Sequence, residues 1–168
     1  TIADITKERV RRVIKKLDEA EAGQLPLNGR QERGFRVFKL AESNFKGWQA
    51  QIPQDAGALA RQMEMHIEHI REGRSSEDIL YEILLKSGFP LTMPIEKLEL
   101  AGKSVYSVAC GGMLICLEKA LTIEALRAMA ELKPARVVCL DTGFGGEDAL
   151  KANAVQIFKS QGVVFKTI

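Results

Sequence analysis

The pattern of apolar and polar positions in the first fifty residues predicts a helix followed by a short strand. Apolar residues recur at helical spacing between residues 2 and 20 and occupy one arc of about 120°, formed by Ile2, Val10, Val13, Ile14 and Leu17. Thr1 and Asp4 have the spacing of a capping box at the start of this helix. Residues 35–40 have the composition of a β-strand, so we expect a strand there.

The middle of the chain has the pattern of two helices. Pro53 and Asp55 introduce a predicted helix that reaches Glu72, with one apolar stripe. Ser75 and Asp78 have capping-box spacing for another helix, which Gly88 and Pro90 are expected to end. Residues 53–92 are therefore predicted to form a helical connector.

Beyond Pro94 the apolar period changes from helical spacing to alternation and to short continuous apolar segments. The predicted strands are 98–100, 104–109, 113–117, 137–140 and 163–165, with helices at 122–133 and 147–161. A hairpin followed by strand–helix–strand units with short crossovers favours an α/β fold. We expect a mixed sheet with a parallel edge and flanking helices. The predicted division is 1–52, 53–92 and 93–168.

Composition limits the class of protein. The 168 residues suffice for one domain or one and a fraction, and 46% apolar with 27% charged residues excludes intrinsic disorder. The longest apolar segments are about six residues, far short of the ~20 that a membrane span needs. Three cysteines without a CxxC motif favour a reduced, cytoplasmic protein. The chain starts at Thr1 without Met, which suggests a processed or excised piece.

The polar side of the first predicted helix is the candidate nucleic-acid contact. Six basic residues and Glu8 between positions 7 and 16 leave a net charge of 6 − 1 = +5. Basic side chains on one helix face can follow phosphates, and the candidates are Lys7, Arg11, Arg12, Lys15 and Lys16. The alternative is an ordinary solvated face, since no aromatic residues alternate with the basic ones and acidic residues follow directly.

Two other groups of residues could carry chemistry. His66 and His69 share a predicted helix, but their spacing does not match His-Glu-x-x-His, so we predict no metal site. Residues 141–146 follow a predicted buried strand and begin a helix, a position where open α/β sheets bind ligands. They match neither a dinucleotide-binding loop nor a P-loop, and we favour a structural turn in which Asp141 or Thr142 satisfies backbone amides. A small enzyme using Asp141 stays an open alternative.

Four long segments resemble a known family. Residues 1–17, 34–48, 69–96 and 136–167 are similar, in the same order, to the C-terminal part of the modification subunit of bacterial type III restriction–modification systems. These subunits are adenine-specific DNA methyltransferases that use S-adenosylmethionine. The resemblance implies a catalytic Asp-Pro-Pro-Tyr type loop and a Phe-x-Gly-x-Gly type cofactor loop. This chain contains neither, and both are expected upstream of Thr1.

The resemblance therefore implies a segment without catalytic or cofactor-binding residues, and the spacing of the histidines already argues against metal-ligating ones. S-adenosylmethionine would be bound by the full-length parent. Residues 1–40 would be the last helix and strand of the methyltransferase sheet, and residues 53–168 an appended domain for dimerisation and contact with the restriction subunit. DNA would be contacted through the parent protein. Apolar surface left without the catalytic domain would be exposed, so we expect the segment to self-associate as a homodimer. The competing hypothesis is a free-standing nucleic-acid-binding module that uses residues 7–16.

Overall fold

The computed structural model describes residues 1–22, 33–46 and 70–168. These residues fall into two compact units, residues 1–41 and residues 42–168. The predicted boundary at residue 52 lies outside the described residues, as do most of the helix expected over 53–72 and both histidines. Ile70 is described and is not helical; it forms an isolated antiparallel bridge with Phe45.

The first unit is built on helix α1, Ile2–Glu21. Asp4 N donates to Thr1 Oγ1 over 3.3 Å, and the Asp4 carboxylate accepts from the Thr1 hydroxyl over 2.6 Å. The predicted capping box and helix are confirmed. None of the helix residues is buried, which distinguishes α1 from the helices of the second unit.

The strand predicted over residues 35–40 is wrong. These residues form no β-strand, and Phe35, Val37 and Phe38 are exposed. Arg33 instead forms ion pairs with Asp18 and Glu21 near the end of α1. The composition of residues 35–40 indicates a preference for extended backbone, which alone does not make a β-strand. A strand also needs a neighbouring strand for its N–H and C=O groups, and no β-ladder between this segment and another described segment forms.

The second unit contains a five-stranded mixed sheet in the order β1-β2-β3-β4-β5. The strands are β1 Ile95–Leu100, β2 Lys103–Val108, β3 Met113–Cys116, β4 Arg136–Cys139 and β5 Val164–Thr167. The first three are antiparallel neighbours, whereas β3, β4 and β5 are parallel. The predicted α/β class, mixed sheet and parallel edge are confirmed.

Three helices cover this sheet, and each begins or ends where the sequence predicted. They are α2 Ser76–Lys86, α3 Ile123–Glu131 and α4 Asp148–Ser160. Ser75 and Asp78 form the predicted capping box of α2, and the Thr122 hydroxyl accepts from Ala125 N over 3.3 Å at the start of α3. Gly88 follows α2 with a φ of +79°, a conformation that glycine adopts without the strain imposed by a Cβ.

Two apolar cores separate the layers. One cluster joins Leu114, Cys116 and Val137 to residues of α3 and α4, and the other joins Ile115 and Val138 to α2. Alternating residues of β3 and β4 thus serve opposite faces, as the period of two requires. Residues on both sides of the predicted boundary at residue 92 contribute to the second cluster. α2 is therefore an integral layer of this unit.

No helix among the described residues combines the length and apolar character that crossing a bilayer requires.

Candidate functional site

The basic face of α1 is exposed to solvent and carries several internal ion pairs. Lys7 Nζ lies 3.2 Å from Asp4 Oδ1, and Arg12 Nε lies 2.9 Å from Glu8 Oε1. Lys15 is 3.8 Å from a Glu19 carboxylate oxygen. Exposed helical ion pairs contribute little to stability and exchange readily. These side chains are available to an external anion only in competition with the acidic residues of the same helix.

The remaining two candidate contacts differ from each other. The Arg11 guanidinium lies over the Phe35 ring, 5.7 Å from its centroid, an arrangement that holds the cation near the ring face. Lys16 makes no ion pair with any described residue. The five predicted residues thus lie on one helix, and two of them, Arg11 and Lys15, line the same open cavity together with the acidic Asp18 and Glu19.

The apolar stripe of α1 is exposed as well. Ile2 retains 84% of its accessible surface, Val13 56% and Leu17 44%. An amphipathic helix normally buries such a stripe against a core. Val37, Phe38 and Leu40 of the same unit are also exposed. Unit 1 therefore exposes several large apolar side chains, both on α1 and on residues 37–40.

The loop at residues 141–146 is packed into the fold. Gly143 O accepts a hydrogen bond from Leu121 N over 2.7 Å, and Phe144 is buried in the core. A Cβ on Gly143 would lie 2.6 Å from Glu118 O, which leaves no room for a ligand between these segments. Asp141 forms an ion pair with Lys151 of α4. Gly143 and Phe144 are thus packed against the core, as a structural turn would be.

Two of the three cysteines are core residues. Cys116 and Cys139 are opposite one another on β3 and β4, and both are buried and free. Burial raises the pKa of each thiol, so neither has the thiolate character of a nucleophile. Cys110 is exposed in the turn before β3.

The described residues of unit 2 form a basic cleft that sequence reasoning missed. The cavity measures about 380 Å³ and lies on the face of the sheet that α2 covers. Four cationic side chains border it, those of Lys46, Lys86, Arg136 and Lys166. Apolar side chains from α2 and the sheet line the cavity between them, including Ile83, Val138 and Ile168. No Asp or Glu side chain is among the described residues that line it.

The strand register places two of these cations on one face. Arg136 pairs with Val164, and Val138 pairs with Lys166, in the parallel β4–β5 ladder. Residues two apart on a strand point to the same side. Arg136, Val138 and Lys166 therefore share the face that α2 covers. Backbone hydrogen bonds of the ladder hold these positions more rigidly than a loop would.

Glu82 positions the other side of the cleft. Its carboxylate accepts from Asn44 N over 2.6 Å and lies 2.7 Å from Lys86 Nζ. Partial burial raises the pKa of this carboxyl, but hydrogen bonds from Lys86, Ser43 and Asn44 outweigh it and hold the pKa below its usual value. Glu82 is therefore charged at neutral pH and ties residues 43–46 to the end of α2.

Phe45 completes the cleft. Lys86 Nζ lies 4.6 Å from the centroid of the Phe45 ring, close enough for a cation–π contact. Lys86 thus contacts both a carboxylate and an aromatic face. The cleft combines an ordered cationic rim with an apolar floor, the arrangement of a pocket for an amphipathic anion.

The sequence contained only part of the signal for this cleft. The two-residue spacing of Arg136 with Val138, and of Val164 with Lys166, predicts that charged and apolar side chains share a face. Nothing in the pattern indicated that β4 and β5 would meet the end of α2. The cationic residues come from four segments far apart in the chain.

No protein-family model matches this chain, and no curated protein matches it significantly. The comparisons therefore identify no family.

Proposed function

We propose that this chain is the C-terminal segment of the modification subunit of a type III restriction–modification system. The parent would be an adenine-specific, S-adenosylmethionine-dependent DNA methyltransferase, and the segment would serve dimerisation and contact with the restriction subunit. The supports are the four similar sequence segments and the apolar surface of unit 1. That surface carries the proposal, because an exposed stripe on an otherwise charged helix is what an assembly contact needs.

A helix of this kind is stabilised when its apolar stripe docks on a partner. Exposed Ile2, Val13 and Leu17 lie on one side, while ion pairs keep the other side solvated. Burial of apolar area is the main driving force of association. The proposed occupant of the stripe is another folded surface of the same assembly.

The experiment is sedimentation velocity over a wide range of protein concentration. We expect the unmodified chain to associate and Leu17→Asp to shift it toward monomer. Ile5→Asp is the matched control: Ile5 is also exposed, but it lies about 120° round the helix from the centre of the stripe. A strict monomer at the highest concentration, or equal effects of both substitutions, would contradict the assembly role.

Two further measurements test the family assignment. Calorimetry should show no binding of S-adenosylmethionine to this chain, since the chain lacks a matching cofactor loop. Binding would contradict a non-catalytic segment. The coding sequence upstream of Thr1 should contain an Asp-Pro-Pro-Tyr type loop, and a different catalytic signature there would contradict the family.

The alternative is a nucleic-acid-binding module that uses the basic face of α1. The exposure of Arg11, Arg12 and Lys16 favours it. If it is right, DNA binding should weaken steeply with salt and be lost when Arg11→Glu and Arg12→Glu are combined. Salt-insensitive binding, or none, would contradict the alternative.

We also propose a cytoplasmic location. Cys116 and Cys139 lie opposite one another on neighbouring strands and are both free thiols. Unbridged neighbouring thiols fit a reducing compartment. Mass spectrometry of alkylated protein from cells should find all three cysteines reduced, and a disulfide in the native protein would contradict this location.

A further inference from the structure

We propose that the basic cleft of unit 2 binds a phosphate group carried on a flat apolar or aromatic body, a ligand of nucleotide size. The cleft is the cavity bordered by Lys46, Lys86, Arg136 and Lys166. This inference rests on that geometry and is independent of the proposed methyltransferase relationship.

Charge selects an anion. Lys86, Arg136 and Lys166 border one cavity, and Glu82 pairs with Lys86. Like charges gathered around a partly desolvated space repel one another more strongly than in water. A bound anion relieves that repulsion, and a multiply charged one relieves it most.

The kinds of cation favour phosphate. Arg136 is half-buried at the start of β4, where its planar guanidinium can donate two parallel hydrogen bonds to one phosphate group. Lysine ammonium groups act as point charges that suit the remaining phosphate oxygens. Lys166 is on the same face of the adjacent strand. Arg136 therefore provides paired hydrogen-bond donors and Lys166 a single positive charge, and both are held by neighbouring strands of the sheet.

The volume of the cleft and its apolar side chains indicate what the ligand contains besides phosphate. A volume of about 380 Å³ falls at the lower end of the range for small-molecule pockets, roughly 300–1,000 Å³. Ile83, Val138 and Ile168 supply apolar contact, which an inorganic anion alone would not use. A ligand with a phosphate group and an apolar or aromatic part would interact with both the cationic side chains and the apolar side chains of the cleft.

The test is isothermal titration of the full chain at low salt with adenosine monophosphate, inorganic phosphate and adenosine. We expect adenosine monophosphate to bind more tightly than either part alone. Lys166→Glu should weaken binding about tenfold or more, because it reverses one charge of the rim. Lys159→Glu, an equal charge change on the exposed surface of α4, should leave binding unchanged.

The substitution Arg136→Lys tests whether the paired hydrogen bonds of the guanidinium, and not its charge alone, contribute to phosphate binding. It keeps the cation but removes the paired donors, so we expect a severalfold loss of affinity. No binding of any probe, equal binding of phosphate and adenosine monophosphate, or equal effects of Lys166→Glu and Lys159→Glu would overturn the proposal. A short single-stranded oligonucleotide that displaces adenosine monophosphate would support the same phosphate chemistry and identify a polynucleotide as its source.

Discussion

The helices of the two units have similar apolar periodicity, but their apolar residues are buried only in unit 2. In unit 2, the stripes of α2, α3 and α4 meet a sheet and form cores in which Leu84, Leu126 and Phe158 are fully buried. In unit 1, no residue of α1 is buried, and its stripe joins neither apolar cluster of the described residues. Periodicity alone thus predicts a helix but not the surface that will cover it. The buried apolar residues belong to unit 2, whereas the apolar side chains of α1 stay accessible to solvent.

The largest expected effect contrasts a core residue with a stripe residue. Phe158 is fully buried and stacks on Phe165 with ring centroids 4.9 Å apart. Phe158→Ala should therefore lower the free energy of unfolding of unit 2 by about 3 to 5 kcal/mol. Val13→Ala on α1 should change it by less than about 0.5 kcal/mol. Urea denaturation followed by near-ultraviolet circular dichroism measures both, and similar losses would contradict the contrast.

The same contrast explains which elements could be predicted from sequence. The helices and strands after Ser75 follow the pattern because each element has apolar residues that pack against a facing layer, as Leu114 and Val137 do. The prediction of a strand at residues 35–40 was wrong because amino-acid composition indicates only a preference for extended backbone. It does not show whether another strand is available to pair with the segment. A core stabilises a local preference, and no residue of the segment 35–40 is buried in one.

The candidate surfaces show the same limit. The basic face of α1 could be predicted, because residues of one helix share a face through spacing alone. The cleft could not, because Lys46 and Arg136 are brought together only by the packing of residues 43–46 and α2 on the sheet. Single-sequence periodicity contains no information on such long-range contacts.

A smaller effect separates two glycines. A Cβ at Gly143 would lie 2.6 Å from Glu118 O and 3.2 Å from the Leu121 side chain. Gly143→Ala should thus lower the free energy of unfolding by about 1 to 3 kcal/mol. Gly34→Ala is the matched control in unit 1, since its Cβ would meet nothing within 4 Å.

For Gly34→Ala we expect no loss, and a gain of up to about 1 kcal/mol where the unfolded chain is restricted. Denaturant titration of both variants, with the slope checked for two-state behaviour, gives the comparison. If Gly143→Ala is as stable as the unmodified chain, the loop at residues 141–146 is less tightly packed than its contacts indicate.

The smallest effect compares the two capping boxes under acid. A hydrogen bond from the Thr1 hydroxyl, with further hydrogen bonds from the Thr1 amino group and Lys7, lowers the pKa of Asp4 from 3.8 to about 2. Hydrogen bonds from the side chain and backbone of Ser75 lower the pKa of Asp78. A lowered folded-state pKa stabilises the fold above the unfolded-state pKa, and that stabilisation disappears as the pH falls through the folded value.

Both caps should therefore weaken on acidification, for Asp4 between about pH 4 and pH 2, but the helices should respond differently. α2 keeps Ile79, Leu80, Ile83 and Leu84 in a core and should retain its first turn. α1 has no buried residue and should fray from its N-terminus. Amide chemical shifts of residues 2–5 and 76–79 across this titration measure the difference, with Asp4→Asn and Asp78→Asn as controls. Loss of both first turns at the same pH would contradict this difference, because burial of the α2 residues would then not stabilise the first turn of that helix.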